Sequence, residues 1–306
     1  MKVATTISDF RGYTDSCVKS VCQFEGTGFR YLDFGFSTAE LLNEHWMETV
    51  KEAAKVAAER GLSFVQAHAP GYNPFDAATD HNLGMLTVRR AIQACEVLGI
   101  ANIVVHPGCS KEYMDPDGKD QFWQMNQKFY EKLYPTMERH NVNVLIENTG
   151  TGNMEGKYNF LSGREMAEFL DACNHPLLHA CWDTGHANMD HRDQYQDILD
   201  LGDHLRAIHF ADNFGVWDEH VAPFMGTLDI DAIIQGLLDI DYKGYLTFES
   251  NNILQQAGTW PHFRQENPRV RQRKLQSPSL ELRRKAEGLL YEIGKCVLSA
   301  YDCFED

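Results

Sequence analysis

Apolar and polar positions along the chain fall into two alternating kinds of stretch. Eight short apolar runs have the length of strands: MKVATTI (1–7), RYLDFGF (30–36), LSFVQAH (62–68), IANIVVH (100–106), NVLIE (143–147), LLHACWD (177–183), LRAIH (205–209) and YLTFE (245–249). Between and after them lie longer segments with apolar residues at helical spacing, at about 16–25, 45–60, 82–98, 120–140, 163–172, 194–201, 230–238 and 279–299. In 45–60, Val50, Ala54 and Ala57 recur at that spacing and Gly61 stands at a C-cap position; Gly99 does the same after 82–98. Eight such alternations predict βαβ units and a parallel sheet.

The last residue of each run narrows the architecture. Runs three to eight end on His68, His106, Glu147, Asp183, His209 and Glu249, with His186 three residues after Asp183 and a D-x-H pair, Asp218 and His220, after His209. An open sheet strings its strand tips along a line, whereas a closed barrel brings them to one axis at its C-terminal face, where barrel active sites lie. The expected fold is therefore α/β, a single (β/α)8 TIM barrel over residues 1–306. The polar stretch 251–278 is read as an irregular insertion after strand 8.

Composition then excludes several classes. The chain has 306 residues and a formal net charge of −16, which argues against a broad nucleic-acid or anionic-membrane surface, since phosphate contacts need Lys and Arg. Its eight cysteines are scattered without a C-x-x-C spacing and no secretory leader precedes Lys2, so they read as reduced thiols in a cytoplasmic protein. No apolar stretch approaches bilayer-spanning length. A basic run, Arg264, Arg269, Arg271, Arg273, Lys274, Arg283, Arg284 and Lys285, follows strand 8; it reads first as a solvated loop and helix face, and secondly as a contact for a sugar phosphate or a partner subunit in a homo-oligomer.

Imidazole and carboxylate together suit a divalent Zn, Mn, Co or Fe, and a carboxylate buried at a strand tip is costly unless it is paired or coordinating. One ion is expected, with room for up to three. The loop after strand 3 offers Tyr72 and Phe75, and the acidic, aromatic loop after strand 7 offers Asn213 and Trp217; with Asn148 and Trp182 these are the candidates for stacking and hydrogen bonding to a small sugar or polyol. Equally, the aromatic residues could simply pack the barrel rim.

The segments AHAP (67–70), VVHPG (104–108), LIENTG (145–150), WDTGHAN (182–188), AIHFAD (207–212), DEHVAPFMGTLDI (218–230) and LTFES (246–250) jointly resemble the xylose isomerase-like TIM-barrel superfamily, the group of sugar (phosphate) isomerases and epimerases and of endonuclease IV. By that resemblance Glu147, Asp183, His209 and Glu249 would hold one metal as in ketose 3-epimerases, the two glutamates would also serve as acid and base, and His186 would touch the sugar. Endonuclease IV uses nine ligands for three zinc ions, and His68, His106, Glu147, Asp183, His186, His209, Asp218, His220 and Glu249 supply all nine types. The strand-7 loop departs from the 3-epimerases in having no Arg after His209 to bind substrate.

The expected chemistry is proton transfer at a carbon next to a carbonyl, with the metal as Lewis acid and Glu147 and Glu249 moving the proton. Isomerisation and epimerisation of a sugar, sugar phosphate or inosose both fit, and so does dehydration or elimination from a keto-sugar. The alternatives are a trinuclear-zinc phosphodiesterase and a non-catalytic sugar-binding barrel; the latter is disfavoured because the acid/base pair is complete. Fold resemblance alone does not choose among them.

Overall fold

Val3 and Ala4 of the first apolar run are buried on a strand, Lys2–Thr6 (β1), that pairs in parallel with Tyr31–Gly35 (β2) on one side and with Tyr245–Phe248 (β8) on the other. That second pairing closes the sheet. In this computed structural model, which describes residues 1–110, 118–153, 159–254, 268–269, 271–272 and 278–306, the remaining strands are Ser63–His68 (β3), Asn102–Val104 (β4), Asn143–Glu147 (β5), Leu178–Asp183 (β6) and Leu205–Phe210 (β7). They form a closed barrel in chain order, β1 to β8, every pair parallel.

The helices are Cys17–Val21 (α1), Thr38–Leu42 (α2), Trp46–Glu59 (α3), His81–Leu98 (α4), Gly118–Glu131 (α5), Tyr134–His140 (α6), Gly163–Cys173 (α7), Thr184–Met189 (α8), Gln194–Leu201 (α9), Ile230–Asp239 (α10) and Leu280–Ala300 (α11). Apolar faces of the long ones pack on the outside of the barrel, forming one large core with residues such as Phe34, Phe64, Ile146 and Ile208. A second, small cluster, Val104, Leu145, Cys181 and Ala207, is separate from it. Each member stands two residues before a strand-terminal His, Glu or Asp, so side-chain alternation puts it on the same inward face.

Three local differences from the sequence reading have plain causes. The stretch 120–140 is two helices, because Pro135 has no N–H to continue α5 but suits the first turn of α6. A capping box, Ser37 with Glu40, starts the short α2, which hydrophobic periodicity does not signal. The chain after β1 tightens into a 3-10 turn, Ile7–Phe10, capped by Thr6.

The basic run disperses. Arg264, Arg273 and Lys274, like most of 251–278, lie outside the described residues, and Arg269 and Arg271 are exposed. Arg284 donates to the carbonyls of Gln23 and Glu25, and Lys285 pairs with Glu281 on its own helix. Arg283 is buried, not on a solvated face: it pairs with Glu287, lies 3.4 Å from Asp9 and donates to the Asn251 carbonyl. Helical spacing explains it, since Arg283 and Glu287 share a face turned towards the barrel.

Candidate metal centre

Parallel register puts Asp183 opposite His209, while His68 and Glu147 stand opposite Val104 and Cys181, each two residues before the next strand's His106 or Asp183. His106 and Glu249 stand just past the ends of β4 and β8. Asp183 has a second task as N-cap of α8, its Oδ1 accepting from the His186 amide at 2.6 Å. That turn carries His186 over the mouth. Asp218 and His220 come from the β7–α10 loop, and His220 holds a left-handed backbone, φ 49°.

The histidines are oriented by their surroundings. Nδ1 of His68 donates to the Ala69 carbonyl at 2.7 Å, Nδ1 of His186 to Asn148 O at 2.9 Å, and Nδ1 of His220 to Glu249 O at 2.6 Å. Each ring thereby leaves Nε2 free of its backbone partner. His68 Nε2 is 3.0 Å from His106 Nε2, while His186 Nε2 and His220 Nε2 meet Asp218 Oδ2 at 3.2 and 3.0 Å. Imidazoles held through one nitrogen by an oxygen acceptor, with the other nitrogen aimed at carboxylates, are arranged as metal ligands are. His209 is turned the other way: Nδ1 faces Glu147 Oε1 at 2.5 Å and Glu249 Oε2 at 3.8 Å.

Glu147 is the hub. Its Oε2 is 2.8 Å from His106 and 3.6 Å from His68, but neither approach has hydrogen-bond geometry, and that buried oxygen has no hydrogen-bond partner. Asp183 Oδ2 and Asp218 Oδ1 are likewise unpartnered and buried. Donor atoms gather in overlapping triads: His68, His106 and Glu147; His68, His209 and Glu249; Glu147, Asp183 and His186; and Glu147, Cys181 and His209. The four residues of the single-metal expectation thus meet through shared members. Burial works against charge throughout, yet His209 and His106 hold Glu147 well below the usual carboxylate range, and His209, His220 and His68 hold Glu249 down as well. Asp218 lifts His220 to about 10, and Asp183 and Asp218 hold His186 well above its ordinary value. Protons on His186 and His220 offset the carboxylates beside them, and open carboxylate oxygens face the cluster; this donor set fits a divalent cation.

The expected substrate contacts fare differently. Trp217 is 64% exposed at the rim. Trp182 is fully buried and its Nε1 donates to Gln194 on α9; next to inward-facing Asp183, it must point outward into the helix layer, which corrects its placement at the site. Asn148 clamps Asp183, its Nδ2 donating to Asp183 O and its Oδ1 accepting from Asp183 N. Asn213 is buried with its Nδ2 donating to Gly185 O and its Oδ1 accepting from Gly215 N and Asn188 Nδ2. Both amides are occupied with holding the site's backbone rather than open to a ligand. Tyr72 lies against Gly84 and bonds His81, and Phe75 lies against Gly108.

Three inward residues carry no signal at a strand tip. Burial pushes the Cys181 thiol up to about 12, so beside Glu147 and His209 it is a neutral group. Gln66, two residues before His68, lies 2.8 Å from His209 Nε2. Asp33, opposite Gln66 in the register, is buried with neither carboxylate oxygen hydrogen-bonded, and burial pushes it up to about 6 despite His209 and His68. A raised folded value means the penalty is absent below the ordinary value of 3.8, grows as pH rises towards 6 and is complete above it. Asp33→Asn is expected to stabilise the chelator-treated protein by roughly 1–3 kcal/mol near pH 7.5, and by less at pH 5. Urea unfolding at the two pH values checks this; a destabilised variant, or an equal gain at both, would refute it.

Comparison with known proteins agrees with this fold. A ketose 3-epimerase of Arthrobacter globiformis is 31% identical over 91 residues, 29% of each chain. A probable endonuclease 4 of Geobacter sp. (strain M21) is 28% identical over 173 residues, 52% of this chain and 58% of that one. The chain therefore matches less than two thirds of the length of either relative. The D-psicose 3-epimerase structure from Clostridium cellulolyticum H10 superposes with a TM-score of 0.72 at 14% identity, over 97% of this chain and 99% of that one. The family model for the xylose isomerase-like TIM barrel matches residues 25–268. A closed eight-stranded parallel barrel is the fold that such a match describes, and the chain belongs to the xylose isomerase-like TIM-barrel family.

Proposed function

We propose that the protein is a divalent-metal-dependent isomerase or epimerase of a small sugar or polyol. The observation that carries this is the convergence of Glu147 and Glu249 on one imidazole nitrogen, His209 Nδ1, inside a ring of further histidines. Glu147, Asp183, His209 and Glu249 would hold the ion, with His68, His106, His186, Asp218 and His220 as further capacity. A cation held there would supply Lewis acidity towards the substrate's carbonyl oxygen. The chain's own residues move the proton. The neighbouring imidazoles keep both glutamates ionised, so either can accept a proton from the carbon next to the carbonyl, while the same imidazoles weaken them as bases. One carboxylate that takes the proton and returns it to the neighbouring carbon accomplishes isomerisation. Epimerisation needs the other glutamate to take up a proton from solvent and deliver it to the opposite face. The ketose 3-epimerase match favours the second outcome.

A phosphodiesterase reading is favoured by one observation, the gathering of nine ligand types at a single mouth. Against it, the β7–α10 loop turns Phe214, Val216, Trp217, Phe224 and Met225 outward, a poor surface for a phosphate backbone. The test is elemental analysis of protein purified without chelator or added metal, followed by a ketose and inosose panel in D2O scored for carbon-bound deuterium. About one Mn, Co, Fe or Zn per chain, lost in Glu147→Gln, together with deuterium uptake, is expected. About three zinc ions and cleavage of abasic DNA would replace this reading with the hydrolase, and absence of metal would overturn both.

A further inference from the structure

His68, His186 and His220 are each held by a backbone carbonyl, but His209 is held by a side chain. Gln66 is buried on β3, one inward position below His68, and its Nε2 lies 2.8 Å from His209 Nε2. The other end of the amide, Oε1, accepts from the Thr247 hydroxyl at 3.3 Å, one inward position below Glu249. The three groups form a buried line across the barrel, from β7 through β3 to β8. A backbone carbonyl in Gln66's place could only accept. His209 needs more, because its Nδ1 is bonded to the Glu147 carboxylate where those of His68, His186 and His220 are bonded to backbone carbonyls. With a proton on Nδ1, given to Glu147, Nε2 must accept, and the amide nitrogen donates to it as observed. With the Nδ1 lone pair given to a cation, Nε2 must carry the proton and needs an acceptor. An amide turned over by 180° supplies one in the same space, and the Thr247 hydroxyl, which both donates and accepts, completes either arrangement.

We propose that Gln66, backed by Thr247, is a positioning residue for the metal site: it holds the His209 ring with Nδ1 facing Glu147 and Glu249, and turns its amide over as Nδ1 exchanges a proton for a cation. This rests on the reading of His209 as a ligand given above. The role differs from that of a space-filling core residue, since it depends on which atom of the amide faces the ring.

Cobalt(II) titration of the whole protein, read by visible absorption, tests it with Gln66→Met and Gln66→Glu beside the parent. Gln66→Met keeps the volume and removes both polar atoms; it is expected to weaken Co(II) binding by roughly 10–100-fold and to shift the band, as loss of a ligand's hydrogen-bond partner does. Gln66→Glu, which accepts as well as the turned amide, is expected to recover most of that loss. Unchanged affinity and spectrum in Gln66→Met, or equal losses in both variants, would overturn the proposal. Long-range 1H–15N correlation of histidine-labelled, metal-free protein separates this from failure of the metal reading. If the parent takes up no cobalt, the metal reading falls. The positioning role then stands on His209 being a single Nδ1–H tautomer in the parent and mixed in Gln66→Met, and falls if the two are the same.

Discussion

Glu147→Gln is expected to lower divalent-metal affinity by at least about 100-fold and turnover by about 10^3-fold, while the metal-free chain stays folded. The substitution keeps the shape and removes the charge. Glu147 is fully buried at the tip of β5 and meets His209 through one oxygen and the His106–His68 pair through the other. It belongs to three of the four donor triads, so no arrangement that leaves it out keeps the cluster whole. Glu249 makes the comparison. Its side chain is 20% exposed and belongs to one triad, so Glu249→Gln is expected to take a comparable toll on turnover with a smaller loss of metal. Metal content by elemental analysis and deuterium exchange on the active sugar would be measured on both. A Glu147→Gln protein that keeps its metal and its exchange rate would remove Glu147 from the centre. The metal-free fold should survive because glutamine keeps the side chain's volume and its amide oxygen can accept from His209 Nδ1 in the carboxylate's place.

The barrel and its tip residues were legible because two signals coincide at one place. Strand-length apolar runs mark where the chain crosses the core, and a His, Asp or Glu ending such a run marks where it emerges at the mouth. Residues inside a run carry no such break. Gln66 in LSFVQAH and Asp33 in RYLDFGF are single polar letters among apolar ones, yet both are buried where polar atoms matter most. The period-2 rule does reach Gln66: a residue two before an inward His is itself inward. The same rule, applied to Trp182, moves it out of the site, because adjacency to Asp183 in sequence means the opposite face. Asn148 and Asn213 were legible as site residues only by neighbourhood. Their amides are filled by Asp183, Gly185, Gly215 and Asn188, contacts that link separate loops and leave no local pattern.

Arg283→Met is expected to destabilise the protein by about 3–5 kcal/mol, a fall in melting temperature on the order of 10 °C. In sequence Arg283 belongs to a basic run near the strand-8 loop and invites a phosphate. In the fold it is buried between Glu287 on α11 and Asp9 after β1, where Thr5 also donates to Asp9 at 2.9 Å. Burial and the neighbouring Asp9 push Glu287 well above its ordinary range, and burial raises Asp9 as well, so one guanidinium faces two carboxylates that are both held towards their protonated forms. Removing the guanidinium strands this pair and frees the Asn251 carbonyl, two residues beyond Glu249. Neutralising both carboxylates in the same chain, Asp9→Asn with Glu287→Gln, should recover part of the stability, because the larger share of the loss is uncompensated burial rather than the pair itself. A phosphate-binding Arg283 predicts the reverse pattern: a melting temperature close to the parent's and weakened binding of a sugar phosphate relative to its free sugar. Thermal melts of Arg283→Met and of the triple variant, with sugar-phosphate binding measured on any variant that stays folded, separate the two. A stable Arg283→Met protein would return this residue to the surface chemistry that its neighbours in sequence suggest.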